Sequence, residues 1–514
     1  MSYVVGISSG AFGLVDQKEK QNLMTITRKI FAGGLEGVNF TQVDLEAITE
    51  FNEPNVKENL RKIKDLGITF GFHGEFYGGS ERPLEMLDSA IEADYYHSHD
   101  RLVRHIEGCG DLGGKYVNFH PSQTTPFIRL GKDLQPTKLV DPWGRPMKKF
   151  LEENKWLKDW IMEEDNEFLW EFMHTTPKIA IKSWLRDEVN DYKKQYGGKE
   201  PSEGEKEKLK KEVIERLKEA FINRISTSDL SYGPERVAYY IIAKWMQKNN
   251  DSLWNSIVGE KIKDKDLTKR DNFQKWVPAV SAKYILGHFQ PKNGLDNPSK
   301  LMEKHKIYCI FECEMGRGGT QGMSRIIRPR DFIFLCQAIK SKWAAVCIDF
   351  EHVLSQNIDP KKEIESFPPG AAERVKLLHL GFPTPHVPAH MPIPLGSKEQ
   401  LWIYERLYEL RQKGMDDAWM IFERAGNPRE QVILVLRLIK QFLEKGIAPK
   451  ELPLEFYGIR PDGPEMRRQE LAVREHALDP LKGLFSVPEE EYTFLGTAAK
   501  NKGKAELWGK ERFK

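Results

Sequence analysis

Eight short apolar runs, separated by longer amphipathic stretches, constrain this 514-residue chain more than any other feature. An apolar run followed by an amphipathic segment, repeated, is the pattern of parallel strands joined by helices. The first four runs cover residues 3–8 (YVVGIS), 37–40, 68–72 (ITFGF) and 116–119 (YVNF). The other four cover 307–312 (IYCIFE), 344–349 (AAVCID), 375–379 (VKLLH) and 418–423 (AWMIFE). Helical periodicity follows most of them, at 18–31, 56–66, from near Pro83, and at 331–342, 398–413 and 429–445.

Eight strand–helix units favour a closed α/β barrel, the (β/α)8 or TIM barrel, over an open sheet. A bare barrel needs only ~250 residues, so a large addition is required. Residues 126–275 supply it as a helical insertion between strands four and five. This stretch has no strand pattern, only helical segments such as 147–171 and 203–225, with Ser202 placed to cap the latter. Pro278 reads as the start signal of a helix over 279–289 that re-enters the barrel. Trp143, Trp156, Trp160, Trp170 and Trp184 recur at near-helical spacing, as the core of a helical subdomain would. The expected organisation is 1–125 and 276–470 as barrel halves, 126–275 as a lid or thumb, and 471–514 as an extension. The basic end of that extension (500–514) reads as a solvated tail, with nucleic-acid contact as the alternative.

Lys+Arg 78 against Asp+Glu 76 leaves a net charge of +2, so no whole-chain field favours nucleic acid or a membrane. A basic face can still be cancelled by an acidic one elsewhere. The 5 Cys form no CxxC pair, and Cys309, Cys336 and Cys347 lie in apolar runs, as buried reduced thiols do. No signal-like leader and no apolar run of ~20 residues is visible, so a cytoplasmic protein without a membrane partner is expected.

In a barrel of this kind the carboxyl ends of the strands face the active site. Those ends carry His73, His120, Glu312, Asp349 with His352, His379 and Glu423. Apolar strands seldom end on ionisable groups, because burying these without a partner costs several kcal/mol each. Metal coordination removes that cost. Mixed imidazole and carboxylate donors suit Zn2+, Mn2+ or Fe2+. Seven donors exceed one tetrahedral ion, so a bridging carboxylate and two ions are expected.

The stretches NFHPS around His120, FECEMGRGG around Glu312, DFEH over 349–352 and LLHLG around His379 resemble the xylose isomerase-like barrel superfamily. Within it they resemble the endonuclease IV family of apurinic/apyrimidinic (AP) endonucleases, also called AP endonuclease family 2. The resemblance covers most of the chain outside the insertion and the tail. It implies a DNA-repair phosphodiester hydrolase with two or three Zn2+ ions. His73, His120 and Glu312 would hold the first, and Glu312 would bridge to a second held by Asp349, His379 and Glu423. His352 and His390 would hold a third. The family has an Asp two residues before that last histidine, where this chain has Pro388; His386 is the candidate replacement. Glu312 and Glu423 are the expected catalytic carboxylates, with a metal-held hydroxide as nucleophile.

DNA, in the form of a damaged duplex, is the partner this implies. Phe76 or Tyr77 would then be a wedge beside a flipped nucleotide, and Arg317 and Arg424 would be phosphate donors. Rim packing and Arg–carboxylate pairing are the alternatives for these four. A single-metal sugar isomerase or epimerase is the competing reading, since Glu312, Asp349, His379 and Glu423 alone would serve it. A non-enzymatic binding protein would have lost its ligands. Oligomeric state is not legible.

Overall fold

The computed structural model describes residues 2–8, 38–45, 48–74, 86–122, 138–163, 176–227, 234–267, 270–314, 325–382, 391–423 and 429–459. Eight parallel strands close into a barrel in chain order: β1 (Val4–Ser8), β2 (Phe40–Asp44), β3 (Thr69–His73), β4 (Tyr116–Phe119), β5 (Tyr308–Phe311), β6 (Ala344–Asp349), β7 (Val375–His379) and β8 (Trp419–Phe422). The (β/α)8 barrel expected from the sequence is therefore the fold. By compactness the chain divides into two units, one of Met1–Asp44, Pro54–Gly71 and Cys347–Lys514, the other of Leu45–Glu53 and Phe72–Val346.

In the first unit β1 pairs with β2 and with β8, and β8 pairs with β7. Gly6 sits in β1 because nothing larger fits. A Cβ there would lie 2.7 Å from Ile421 Cδ1 and 2.9 Å from the Phe40 carbonyl oxygen. In the second unit β4 pairs residue for residue with β5, from Tyr116↔Tyr308 to Phe119↔Phe311. Both strands are buried almost throughout, as parallel strands covered on both faces are. Each fully buried Ile, Leu or Phe in such a core is worth about 1.5–3 kcal/mol.

The second strand departs from the sequence expectation of 37–40. It runs Phe40–Asp44 (FTQVD), with Thr41 and Gln42 both buried. Thr41 Oγ1 donates to the Ile7 carbonyl at 3.0 Å, which satisfies its hydroxyl inside the barrel wall. Polar residues pointing into a barrel interior look like loop in a hydropathy profile, and this moved the expected strand.

Between β4 and β5 the helices of the described residues run from Met147–Glu153 to Pro298–His305, with isolated β-bridges at Ser122, Leu139, Val140 and Pro146. Ser202 and Glu205 make a reciprocal cap ahead of the helix Glu203–Thr227: Glu205 N donates to Ser202 Oγ at 3.4 Å, and Ser202 N to Glu205 Oε2 at 2.8 Å. The helix expected over 147–171 breaks at Asn154, whose side chain donates to the Phe150 carbonyl at 2.8 Å, giving Met147–Glu153 and Lys155–Ile161. Pro278 does not start a helix; it lies inside Arg270–Phe289. An interior proline costs ~3 kcal/mol, and burial of Trp276, Val277, Ala279 and Val280 around it outweighs that. Trp143 and Trp160 are core residues, whereas Trp184 is 39% exposed beneath the Arg216 guanidinium. Trp170 and the tail at 500–514 lie outside the described residues. No helix among the described residues is long and apolar enough to cross a membrane.

Candidate metal centres

In the second unit, His73 ends β3, and His120 and Glu312 directly follow β4 and β5. All three are buried, with ligand atoms within 4.8 Å of one another. The Nε2 atoms of His73 and His120 lie 3.8 and 3.7 Å from Glu312 Oε2. Hydrogen bonds fix which nitrogen of each ring keeps a lone pair. His73 Nδ1 is 3.1 Å from the Gly74 carbonyl. A carbonyl only accepts, so Nδ1 carries the proton and Nε2 keeps its lone pair toward Glu312. His120 Nδ1 faces Glu314 Oε2 at 3.3 Å, which turns its Nε2 inward in the same way. Asn118 Nδ2 donates to Glu312 Oε2.

In the first unit, Asp349 ends β6, His379 ends β7 and Glu423 directly follows β8. This trio is also buried, with ligand atoms within 4.8 Å. His379 Nδ1 is 4.0 Å from Asp349 Oδ2 and 3.6 Å from Glu423 Oε2. Gln42 Oε1, on β2, accepts a hydrogen bond from His379 Nε2 at 3.1 Å, so the Nδ1 lone pair points to the carboxylates. The two Asp349 oxygens have separate tasks. Oδ1 caps the helix Phe350–Ser355, accepting from Glu351 N at 2.7 Å and His352 N at 3.1 Å, while Oδ2 faces the histidines. The Ser8 hydroxyl donates to the Glu423 backbone carbonyl and ties the end of β1 to that of β8.

Both trios fit a divalent ion by the chemistry of their donors. Each joins at least one imidazole to at least one carboxylate away from water, with the ring lone pairs turned inward by a second layer of acceptors.

His352 Nε2 stands 3.7 Å from Asp349 Oδ2, one helical turn along the same segment. Its expected third-site partners His386 and His390 lie outside the described residues, as do Phe76, Tyr77, Arg317 and Arg424. Sequence reasoning missed Gln42, Asn118 and Glu314. Asn118 and Glu314 each lie two residues from a strand-end ligand, on the face an extended chain repeats, and that spacing was the available signal. Gln42 gave none, because its strand was placed too early.

No family model matches this chain, and no curated protein does. Among solved structures it is similar to an L-ribulose 3-epimerase, with 10% identity, 92% of this chain and 98% of that chain covered, and a TM-score of 0.39. A D-allulose 3-epimerase from Methylomonas sp. in complex with D-allulose matches at 9% identity, over 85% of this chain and 96% of that one, with a TM-score of 0.40. A fusion of a xylose isomerase-like TIM barrel with a 4-hydroxyphenylpyruvate dioxygenase matches at 9%, over 86% of this chain and 44% of that one, with a TM-score of 0.38.

These matches correct one expectation. The expectation of an endodeoxyribonuclease, a metal-dependent phosphodiester hydrolase, is corrected: the structures named above are two sugar epimerases and a xylose isomerase-like fusion, and none of the three is a nuclease. The physical reason the sequence misled is that a set of imidazole and carboxylate donors does not specify a reaction. The same ion polarises a carbonyl as readily as a phosphoryl oxygen. Counting donors therefore overweighted hydrolysis.

Proposed function

We propose that this chain is a metal-dependent isomerase or epimerase of a sugar-like substrate, on a barrel of the xylose isomerase-like superfamily. The observation that carries this reading is the buried Asp349–His379–Glu423 trio with Gln42 behind its imidazole. Three of the four ligands expected of a single-metal isomerase are thereby gathered in one unit, and the fourth, Glu312, sits with His73 and His120 in the other.

A Mn2+, Fe2+ or Zn2+ ion held by Asp349, His379 and Glu423 would supply Lewis-acid polarisation of a substrate carbonyl. Glu423 is the most accessible of the three, 8% exposed against 1% for Asp349 and His379. Its carboxylate takes the proton from the carbon beside the carbonyl, and the C–H electron pair moves toward that carbonyl. Returning the proton to the former carbonyl carbon, while the hydroxyl proton passes to the former carbonyl oxygen, isomerises the substrate; epimerisation needs a second acid that protonates the same carbon from its opposite face. Either way the reaction is balanced without water or a redox partner. Gln42 and Asp349 act by orientation, one fixing the His379 tautomer and the other fixing the start of the helix behind it.

The test is hydrogen exchange into substrate. The full chain, loaded with Mn2+, is incubated in D2O with a panel of pentoses, hexoses and their ketoses, and proton NMR follows the position beside the carbonyl. Metal-dependent deuterium uptake that Glu423→Gln abolishes supports the reading. Bound Mn2+ with no uptake into any member of the panel overturns it.

A further inference from the structure

Described residues that border the segments after β3, β4 and β5 meet at one buried polar junction, and the insertion is bonded to it. Asp88 lies beyond the loop after β3, Ser122 opens the loop after β4, and Arg325 closes the loop after β5. Asp88 Oδ2 accepts from Ser122 Oγ and from Ser281 Oγ, each at 2.7 Å. Its other oxygen faces Arg325 Nη1 at 3.4 Å. Arg325 Nη1 also donates to the Asp88 carbonyl at 3.2 Å and to the Tyr239 hydroxyl at 2.9 Å, and its backbone N donates to Ser122 Oγ at 3.0 Å. Tyr239 in turn donates to the Asp88 carbonyl at 2.6 Å. Arg325 pairs with Glu235, which accepts from Ser89 Oγ at 2.6 Å and Ala90 N at 3.1 Å.

Glu235 and Tyr239 belong to the insertion helix Pro234–Lys248, and Ser281 to the helix Arg270–Phe289 that re-enters the barrel. Asp88, Ser122, Tyr239 and Ser281 are buried. A buried charge whose partner is withdrawn is strongly unfavourable, so these segments separate together or not at all. An insertion that swings as a lid would break the Arg325–Glu235 pair and the Tyr239 hydrogen bonds with Asp88 and Arg325 at once.

We infer that the insertion is a fixed back wall that sets the geometry of the His73–His120–Glu312 trio, with Asp88 and Arg325 as positioning residues. Ser122 is two residues from His120, and Asp88 and Arg325 flank the loops that leave His73 and Glu312. Displacing the junction through Ser122 therefore displaces His120, and with it the geometry of the trio. This inference goes beyond the isomerase reading and does not depend on it, since it concerns metal geometry at a different trio.

The test uses the full chain and Co2+ as a probe, read by visible absorption. The part of the cobalt signal lost in His73→Ala identifies the trio. Tyr239→Phe and Glu235→Gln remove insertion contacts to the junction without touching a donor. Each is expected to weaken the His73-dependent site by roughly 10-fold or more and to alter its absorption band. The site lost in His379→Ala should keep its affinity, and Glu235→Asp should restore part of the loss. Ser281→Ala, which deletes a single hydroxyl, is the milder variant should the others fail to fold. Unchanged cobalt affinity in folded variants, or no His73-dependent cobalt signal in the parent chain, overturns the inference.

Discussion

Gln42 and His379 lie 337 residues apart in the chain and 3.1 Å apart in space. The amide oxygen of one fixes the tautomer of the other. Gln42→Leu should therefore weaken metal binding at the Asp349–His379–Glu423 trio by about 10–100-fold, while Gln42→Glu, which keeps an acceptor, should lose less. Calorimetric titration with Mn2+ reads the difference. Equal affinity in the parent and Gln42→Leu would show that His379 needs no such support.

Two trios predict two separable metal populations. Elemental analysis of the reconstituted chain should show a loss in His73→Ala and a separate loss in His379→Ala. Removing metal with a chelator should also lower the thermal midpoint. An ion present at 100 times its Kd stabilises the fold by about 2.7 kcal/mol. A midpoint indifferent to chelator would mean that neither trio binds an ion in the folded chain.

His105, which belongs to neither trio, provides a pH test. Burial pushes its imidazole down from the ordinary 6.5 to about 4, only partly opposed by its hydrogen bond to the Arg101 carbonyl. The unfolded chain takes up this proton first as pH falls, so the stabilisation is complete above 6.5 and is lost between 6.5 and about 4. A shift of this size corresponds to about 3 kcal/mol. His99 and His288 are displaced in the same direction, also chiefly by burial, and steepen the fall. Urea unfolding at pH 7 and pH 4.5 measures it. His105→Gln should flatten the dependence, and an unchanged slope would refute the assignment.

Gly287 marks where the re-entrant helix touches the chain beside Trp143. A Cβ there would fall 1.5 Å from the Pro142 carbonyl oxygen, backbone that cannot step aside. Gly287→Ala should cost about 3 kcal/mol or more, read as a lowered denaturation midpoint. A stable alanine variant would contradict the packing of this helix on residues 142–143.

The fold was legible because apolar runs and helical periods are local signals, repeated eight times. The ionisable residues that end the strands were legible for a related reason: such a residue closing an apolar run is conspicuous. Gln42 was hidden because an uncharged amide inside a barrel resembles loop sequence. Pro278 misled because its local cost is visible in the sequence, while the burial of Trp276 and its neighbours that offsets it is not. The junction of Asp88, Ser122, Glu235 and Arg325 joins residues up to 237 positions apart, and no periodicity reports such a meeting. The reaction was misjudged because donors define an ion and not the bond it acts on.

The pairing of β1 with β8 also has a consequence for synthesis. Val4 is registered against Trp419, and the Tyr3 hydroxyl bonds the Met415 carbonyl 412 residues downstream. At ~5–20 residues per second, the ribosome needs roughly 20–80 seconds to deliver that partner. For the whole interval one side of β1 is an open strand edge, the kind of surface that recruits wrong neighbours.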